Sequence, residues 1–317
     1  MSPEAQPPLV GHDEARRAAL AAAAAGRLDG VWLLSGDEGI GKRRFAGWLA
    51  AARWCEASPG RAGEPCESCR ACLQTRSGNF PDLLVVARDP DDPDGLGSRF
   101  EITVDQVRQR VLPHLALRPV QGRGRTVIVD DADRLNEAAQ NALLKTLEEP
   151  PRGALLLLVA AHPEALLETV RSRCRELRLF PLRPDEMAVL HPEASAALLR
   201  AASGRPGRVA ALASLDLERL AAALDERLAG RSAASAFAQQ IVELVEASLE
   251  PEPAAEPGDR HRLAAQVLLA ALVDREAASP PPARAQEALL EVGRDLVRHI
   301  PASQAWLAAG WALSGRT

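Results

Sequence analysis

The sequence predicts a parallel α/β domain followed by an all-α C-terminal part. Short apolar runs alternate with helical patterns as far as about Phe180, and the first of these runs feeds directly into a glycine-rich loop. Beyond Phe180 the strand-like runs disappear while helical periodicity continues. At 317 residues the chain exceeds the size at which one core usually stops growing, so two or three domains are expected.

The elements follow in order. GHDEARRAALAAAAAGRLDG carries an Ala-rich helical pattern that Gly26 and Gly30 end. VWLLSG reads as a short buried strand, GDEGIGK as a loop, and RRFAGWLAAARWC as a helix with Phe45, Leu49 and Ala52 at helical spacing. Asp89 to Gly97 is a turn-rich acidic loop, and ITVDQVRQRVLPHL is a helical pattern that Pro113 should interrupt. RTVIVDD is the second buried strand expected. Asn136 caps a helix, EAAQNALLKTLEE, that Pro150 and Pro151 end, and ALLLLVAA is the third strand. Helices are then expected over Asp185 to Leu199, Pro206 to Leu224, Ala233 to Leu249, His261 to Ala277, and Ala285 to Leu307 with a break at Pro301. Glu250 to Arg260 is a Pro-rich linker.

Composition narrows the function classes. Tyr is absent and aromatics are only 3%, so the cores must be built mostly from Leu, Val and Ala. A formal charge of −5 argues against wholesale coating of nucleic acid but leaves room for a local basic surface. The Arg99 to Arg125 and Arg171 to Arg178 clusters read most simply as solvated faces. No export signal is visible, and apolar runs such as Ala154 to Ala161 are far short of a membrane span, so a cytoplasmic protein is expected.

Gly36 to Lys42 has the G-x-x-x-x-G-K form of a phosphate-binding loop, in the strand–loop–helix context such a loop requires. Backbone N–H groups and a helix N-terminus surround phosphates in these loops, the Lys neutralises charge, and a following hydroxyl ligates magnesium. Arg43 stands in the hydroxyl's place and cannot ligate a cation. The alternative, a glycine turn with no ligand, stays open. Asp130 and Asp131 end the second expected strand, at the sheet edge where ligands of such folds sit, although an Asp pair there is also a common helix cap.

Cys55, Cys66, Cys69 and Cys72 follow C-x10-C-x2-C-x2-C, a spacing that suits tetrahedral zinc. Disulfides are the rival, disfavoured in a cytosolic chain. Four cysteines leave no open position for catalysis, so such an ion would hold a loop. Cys174 lies apart and reads as a small buried residue.

Together, VGH near the start, GDEGIGK, the four-cysteine insert after the first α/β helix, NALLKTLEEPP and SRC resemble the bacterial clamp-loader family within the AAA+ ATPases. The likeness covers residues 10 to about 215, and the helical remainder only in length and class. The resemblance implies a P-loop-NTPase-like AAA+ α/β domain at 1–178, with a zinc module at about 55–72. A small helical lid at 179–213 and a helical collar for oligomerisation at 214–317 would follow.

It also implies that the four cysteines are zinc ligands, that Arg173 of SRC reaches into the ATP site of a neighbouring subunit, and that Gly36, Gly41, Lys42, Asp130 and Asp131 occupy nucleotide-site positions only partly retained. Asp131 stands for a catalytic Glu, its carboxylate about 1.5 Å further back, which matters for a positioned base. Ala160 and Ala161 stand where active members carry polar sensors, and Gly207 where they place a second sensor Arg, with Arg208 one step displaced. These departures imply a subunit that binds ATP with magnesium weakly or not at all. Its implied partners are the tau/gamma and delta subunits, the sliding clamp, and primed DNA through the assembly. An active motor subunit and a zinc-dependent nucleic-acid binder are the alternatives.

Overall fold

The computed structural model describes residues 9–57, 63–88, 96–98, 100–121, 123–213, 215–247, 261, 264–265, 267–268, 287–292 and 301–313. Most of the acidic loop, the linker at 250–260 and most of the helical stretch expected between His261 and Pro301 lie outside them. The chain divides into two compact units, Met1–Leu190 and His191–Thr317.

The first unit is built on a five-stranded, wholly parallel sheet: β1 (Gly30–Ser35), β2 (Leu83–Val86), β3 (Thr126–Val129), β4 (Leu155–Ala160) and β5 (Arg175–Arg178), in the order β2-β3-β4-β1-β5. Two of these strands, β2 and β5, were not among the three expected. The helices of this unit are α1 (Asp13–Ala24), α2 (Lys42–Trp54), α3 (Arg70–Arg76), α4 (Val104–Gln106), α5 (Leu112–Ala116), α6 (Glu137–Glu148), α7 (Glu168–Arg171) and α8 (Pro184–Leu190).

The period of two in a strand explains why the central strands are almost wholly apolar, since both of their faces are covered. Trp32, Leu34, Ile128, Leu155, Leu157 and Val159 face Phe45, Trp48 and Leu49 of α2 and Ala15 and Ala19 of α1. The intervening Val31, Leu33, Val127, Val129, Leu156 and Leu158 pack with Ala139, Leu143 and Leu147 of α6 and with Val107 and Val111. Every side chain of β3 and β4 is therefore buried.

Pro113 does not interrupt its helix. Val107–Val111 adopts the wider π-helical register, and Pro113 follows as the second residue of α5. The widened turn gives the pyrrolidine ring room where a regular turn would set it against a carbonyl one turn back. Thr103 starts this stretch with a reciprocal capping box to Gln106.

Not all of the basic run is a solvated face. Asp82 is fully buried and accepts from Val120 N and Gln121 N, both at 2.7 Å. Arg125, also buried, lies 3.6 Å from Asp82 Oδ1 and donates to the carbonyls of Pro81, Leu117 and Arg118. This pair ties the loop between α5 and β3 to the start of β2.

The second unit is helical: α9 (Ala196–Ala202), α10 (Val209–Ala213), α11 (Leu217–Leu228), α12 (Ala234–Ala247) and α13 (Ala302–Leu313). Where single helices were expected over Asp185 to Leu199 and Pro206 to Leu224, the chain breaks. Ser195 caps α9 and Asp216 caps α11 with side-chain bonds to Leu198 N and Arg219 N. Pro301 precedes α13, as expected of a break. Gly310 lies where a Cβ would stand 3.0 Å from Ala234 O, so its missing side chain lets α13 approach α12 closely. The buried Arg227 donates to Gly310 O at 2.6 Å and also to Ser232 O, joining α11 to α13 and to the turn that leads into α12. No helix among the described residues is long and apolar enough to cross a membrane.

Candidate functional site

β1 ends at Ser35 and the chain turns through the glycine loop into α2 at the carboxyl edge of the sheet. Gly36 makes this turn possible: its φ is +140°, and a Cβ there would meet Leu179 O at 2.4 Å. Gly41, with φ 99°, is the N-cap of α2. The loop has the local form of a phosphate cradle, but its charges are already matched from within the chain.

Lys42 is buried, and its ammonium donates to Gly36 O and Asp37 O, both at 2.8 Å. Burial holds its pKa below the usual lysine value against the opposing pull of Asp133, Glu38, Asp130 and Asp131. Arg43 Nη1 lies 3.2 Å from Asp130 Oδ2 and donates to it. Burial raises the pKa of Asp130, with Arg43 the first opposing charge. Asp131 has left-handed backbone, φ 54° and ψ 46°, and both Nε and Nη2 of Arg88 donate to its Oδ2, at 3.0 and 2.9 Å. Asp133 accepts from His162 N at 3.0 Å. His12 Nε2 lies 3.0 Å from Ile40 O, tying the residue before α1 to the loop, and burial lowers its pKa.

The structure thus brings Lys42, Arg43, Asp130 and Asp131 into one site. Arg88, Asp133 and His12 are contributors to which the motifs do not point. Arg88 follows β2 at the same sheet edge, so reading β2 would have exposed it, while His12 was noted only as part of VGH.

Arg173 belongs to a separate group. Its Nε and Nη2 donate to Glu148 Oε1 at 3.0 and 2.7 Å, and its Nη1 to Thr169 O at 2.8 Å and Ser172 Oγ at 3.4 Å. Neighbouring Cys174 is partly buried, its thiol held up at about 11 by burial, so it is not a reactive thiolate.

The four clustered cysteines come together as their spacing suggests. Cys55 follows α2, Cys69 is the N-cap of α3 and Cys72 lies in its first turn. Their sulfurs all lie within 4.8 Å of one another, and none is bridged. Backbone N–H groups point at the sulfurs: Cys66 N to Cys55, Cys69 N to Cys66, and Cys72 N and Glu56 N to Cys69, at 3.3 to 3.5 Å. Hydrogen bonds, led by that of Ser68 Oγ, hold the exposed Cys66 thiol down at about 6, whereas burial pushes Cys72 up. Tetrahedral zinc with Zn–S of about 2.3 Å sets sulfurs about 3.8 Å apart. A small contraction of this cluster therefore satisfies it, and the N–H donors favour the thiolate form that zinc binds.

Comparison with known proteins places the chain. Residues 11–183 match the family model described as DNA polymerase III, delta subunit. DNA polymerase III subunit delta' of Bacillus subtilis is 36% identical over 158 residues, covering 50% of this chain and 44% of that one. Subunit delta' of Pseudomonas aeruginosa is 39% identical over 144 residues, covering 45% and 41%. Subunit tau of Escherichia coli is 31% identical over 179 residues, covering 56% and 26%. The matched region thus spans less than half the length of each of these relatives. Because the family model spans more than half of this chain, the protein belongs to the DNA polymerase III delta-subunit family, in which it resembles the members named delta'.

Proposed function

We propose that this chain is the delta' subunit of a bacterial DNA polymerase III clamp loader. It would assemble in the cytoplasm with tau/gamma and delta subunits to open the sliding clamp and place it on primed DNA. On this reading it does not hydrolyse ATP itself. It contributes Arg173, which reaches the γ-phosphate of ATP held by a neighbouring subunit and stabilises the charge that develops there. Residues 1–178, 179–213 and 214–317 are the AAA+ domain, lid and collar of this proposal.

The Arg43–Asp130 ion pair is the observation that carries it. In a hydrolytic site the carboxylate at the end of this strand faces magnesium, but here a guanidinium of the same chain takes it up. A divalent cation brought to Asp130 would have to displace Arg43 and then sit beside its charge. The likeness to tau keeps one rival alive, an ATP-hydrolysing subunit, and a titration decides between them. The purified chain, mixed with a fluorescent ATP analogue and magnesium, is expected to bind weakly or not at all and to release no phosphate. Arg43→Thr, which supplies the missing hydroxyl and frees Asp130, is expected to tighten magnesium-dependent binding at least tenfold. Steady turnover by the wild-type chain, lost in Lys42→Ala, would establish the rival.

Cys55, Cys66, Cys69 and Cys72 would hold one structural zinc ion in this proposal, the ion supplying four metal–sulfur bonds that fix the insert against α2. Cys55 and Cys72 pack on Ala51, so the module's order and that of the end of α2 are coupled. About one zinc per chain is expected by atomic absorption, with a fall in melting temperature on chelation. A chain that carries no metal and melts identically with and without chelator would end this part of the proposal.

A further inference from the structure

Glu148 occupies an electrostatically unfavourable place. It is the last residue of α6, a twelve-residue helix, and Glu149 follows it. Helix C-termini favour cations, because unpaired carbonyls there carry partial negative charge. The cation that relieves this carboxylate is Arg173, brought from the segment after α7. One oxygen of Glu148 takes Nε and Nη2 together, along one edge of the guanidinium, while Thr169 O fixes Nη1. Arg173 is therefore held from two sides by its own chain, although about a third of it is exposed.

We infer that Glu148 is a positioning residue for Arg173, an inference that rests on the trans-finger reading above. A surface arginine loses rotamer freedom when it is ordered at an interface, and holding the guanidinium in advance removes part of that loss. Donors that stand ready also need no reorganisation as charge develops on the phosphate. The negative charge of Glu148 opposes this effect. Its side chain is about half exposed, however, so solvent screens that charge, whereas the geometry it imposes on Arg173 is not screened. Positioning is thus the larger effect of the pair.

The test uses a loader reconstituted with tau/gamma and delta, with DNA-stimulated ATP turnover and clamp loading as readouts. Arg173→Ala sets the floor. Glu148→Ala is expected to lower kcat at the site Arg173 serves about tenfold with KM for ATP unchanged, because misplacement of a catalytic group weakens the transition state. Glu148→Gln, which keeps an acceptor oxygen and removes the charge, is expected to recover most of the turnover. The double variant is expected to fall no lower than Arg173→Ala alone.

The melting temperature of the isolated chain, unchanged in both Glu148 variants, excludes a folding defect. Turnover unaffected by Arg173→Ala would overturn the finger reading itself. If Arg173→Ala lowers turnover while Glu148→Ala matches wild type, the finger stands and the inference about Glu148 falls. Turnover raised equally by Ala and Gln would make Glu148 a brake and overturn positioning in the opposite direction.

Discussion

On the trans-finger reading proposed above, Arg173→Ala in a reconstituted loader is expected to cut ATP hydrolysis about a thousandfold at the neighbouring site it would serve, the lower end of the range for arginine fingers supplied in trans. The total rate then loses that site's share, so the informative measurement is turnover at rising DNA concentration alongside the rate of clamp loading. The effect should fall on kcat, since charge on the γ-phosphate grows toward the transition state and Arg173 acts most strongly there. Arg173→Lys is expected to recover little: a single ammonium cannot reproduce the planar fork that Glu148 and Thr169 hold in place. Turnover and clamp loading identical to wild type would remove the finger from the proposed mechanism.

The second large effect is on stability. Asp82→Ala is expected to destabilise the chain by about 3–5 kcal/mol, because Arg125 would be left as a buried, unpaired charge. The N–H groups of Val120 and Gln121 would lose their acceptors in the same step. Asp82→Asn should fall between the two. Its one amide oxygen can accept from either N–H, but its NH₂ group must then face the other, donor against donor. Urea denaturation of the three proteins measures the series. An Asp82→Ala loss under about 1 kcal/mol would mean that water reaches Arg125 and that the loop is not pinned as described.

The central architecture was legible because β1, β3 and β4 are buried on both faces and so appear as unbroken apolar runs. The edges hid themselves for the complementary reason. β5, Arg-Glu-Leu-Arg, has one covered neighbour and mostly exposed side chains, so its sequence looks like surface. β2 is apolar and as short as β3, but it lies at the other edge with its two middle residues only partly buried, and no carboxylate pair directly follows it to mark the sheet edge. In the site, metal-ligand spacing makes the cysteines readable from sequence alone. Arg43 was visible as a departure from the phosphate-loop pattern, yet its partner was not, since Asp130 is 87 positions away and only the packing of β3 beside β4 and β1 brings them together. Arg88 was lost with the strand it follows. In the second unit, the broken helices had signals in plain view, Pro192 with Ser195 and then Asp216, outweighed by the helical periodicity around them.

The left-handed backbone at Asp131 bears on how this lineage can change. Aspartate tolerates that conformation better than most residues, because its short polar side chain can bond locally, whereas a longer side chain meets a penalty of about 1 kcal/mol or more. On the proposed reading, replacing Asp131 by Glu to supply a hydrolytic base would thus strain the turn, while Arg88 still claimed the carboxylate and Arg43 still held Asp130. Freeing Asp130 alone, as in Arg43→Thr, is expected to restore binding but not hydrolysis, which needs the other positions as well. Loss of such a site runs downhill one residue at a time, and its return requires several coordinated steps, so the path acts as a ratchet.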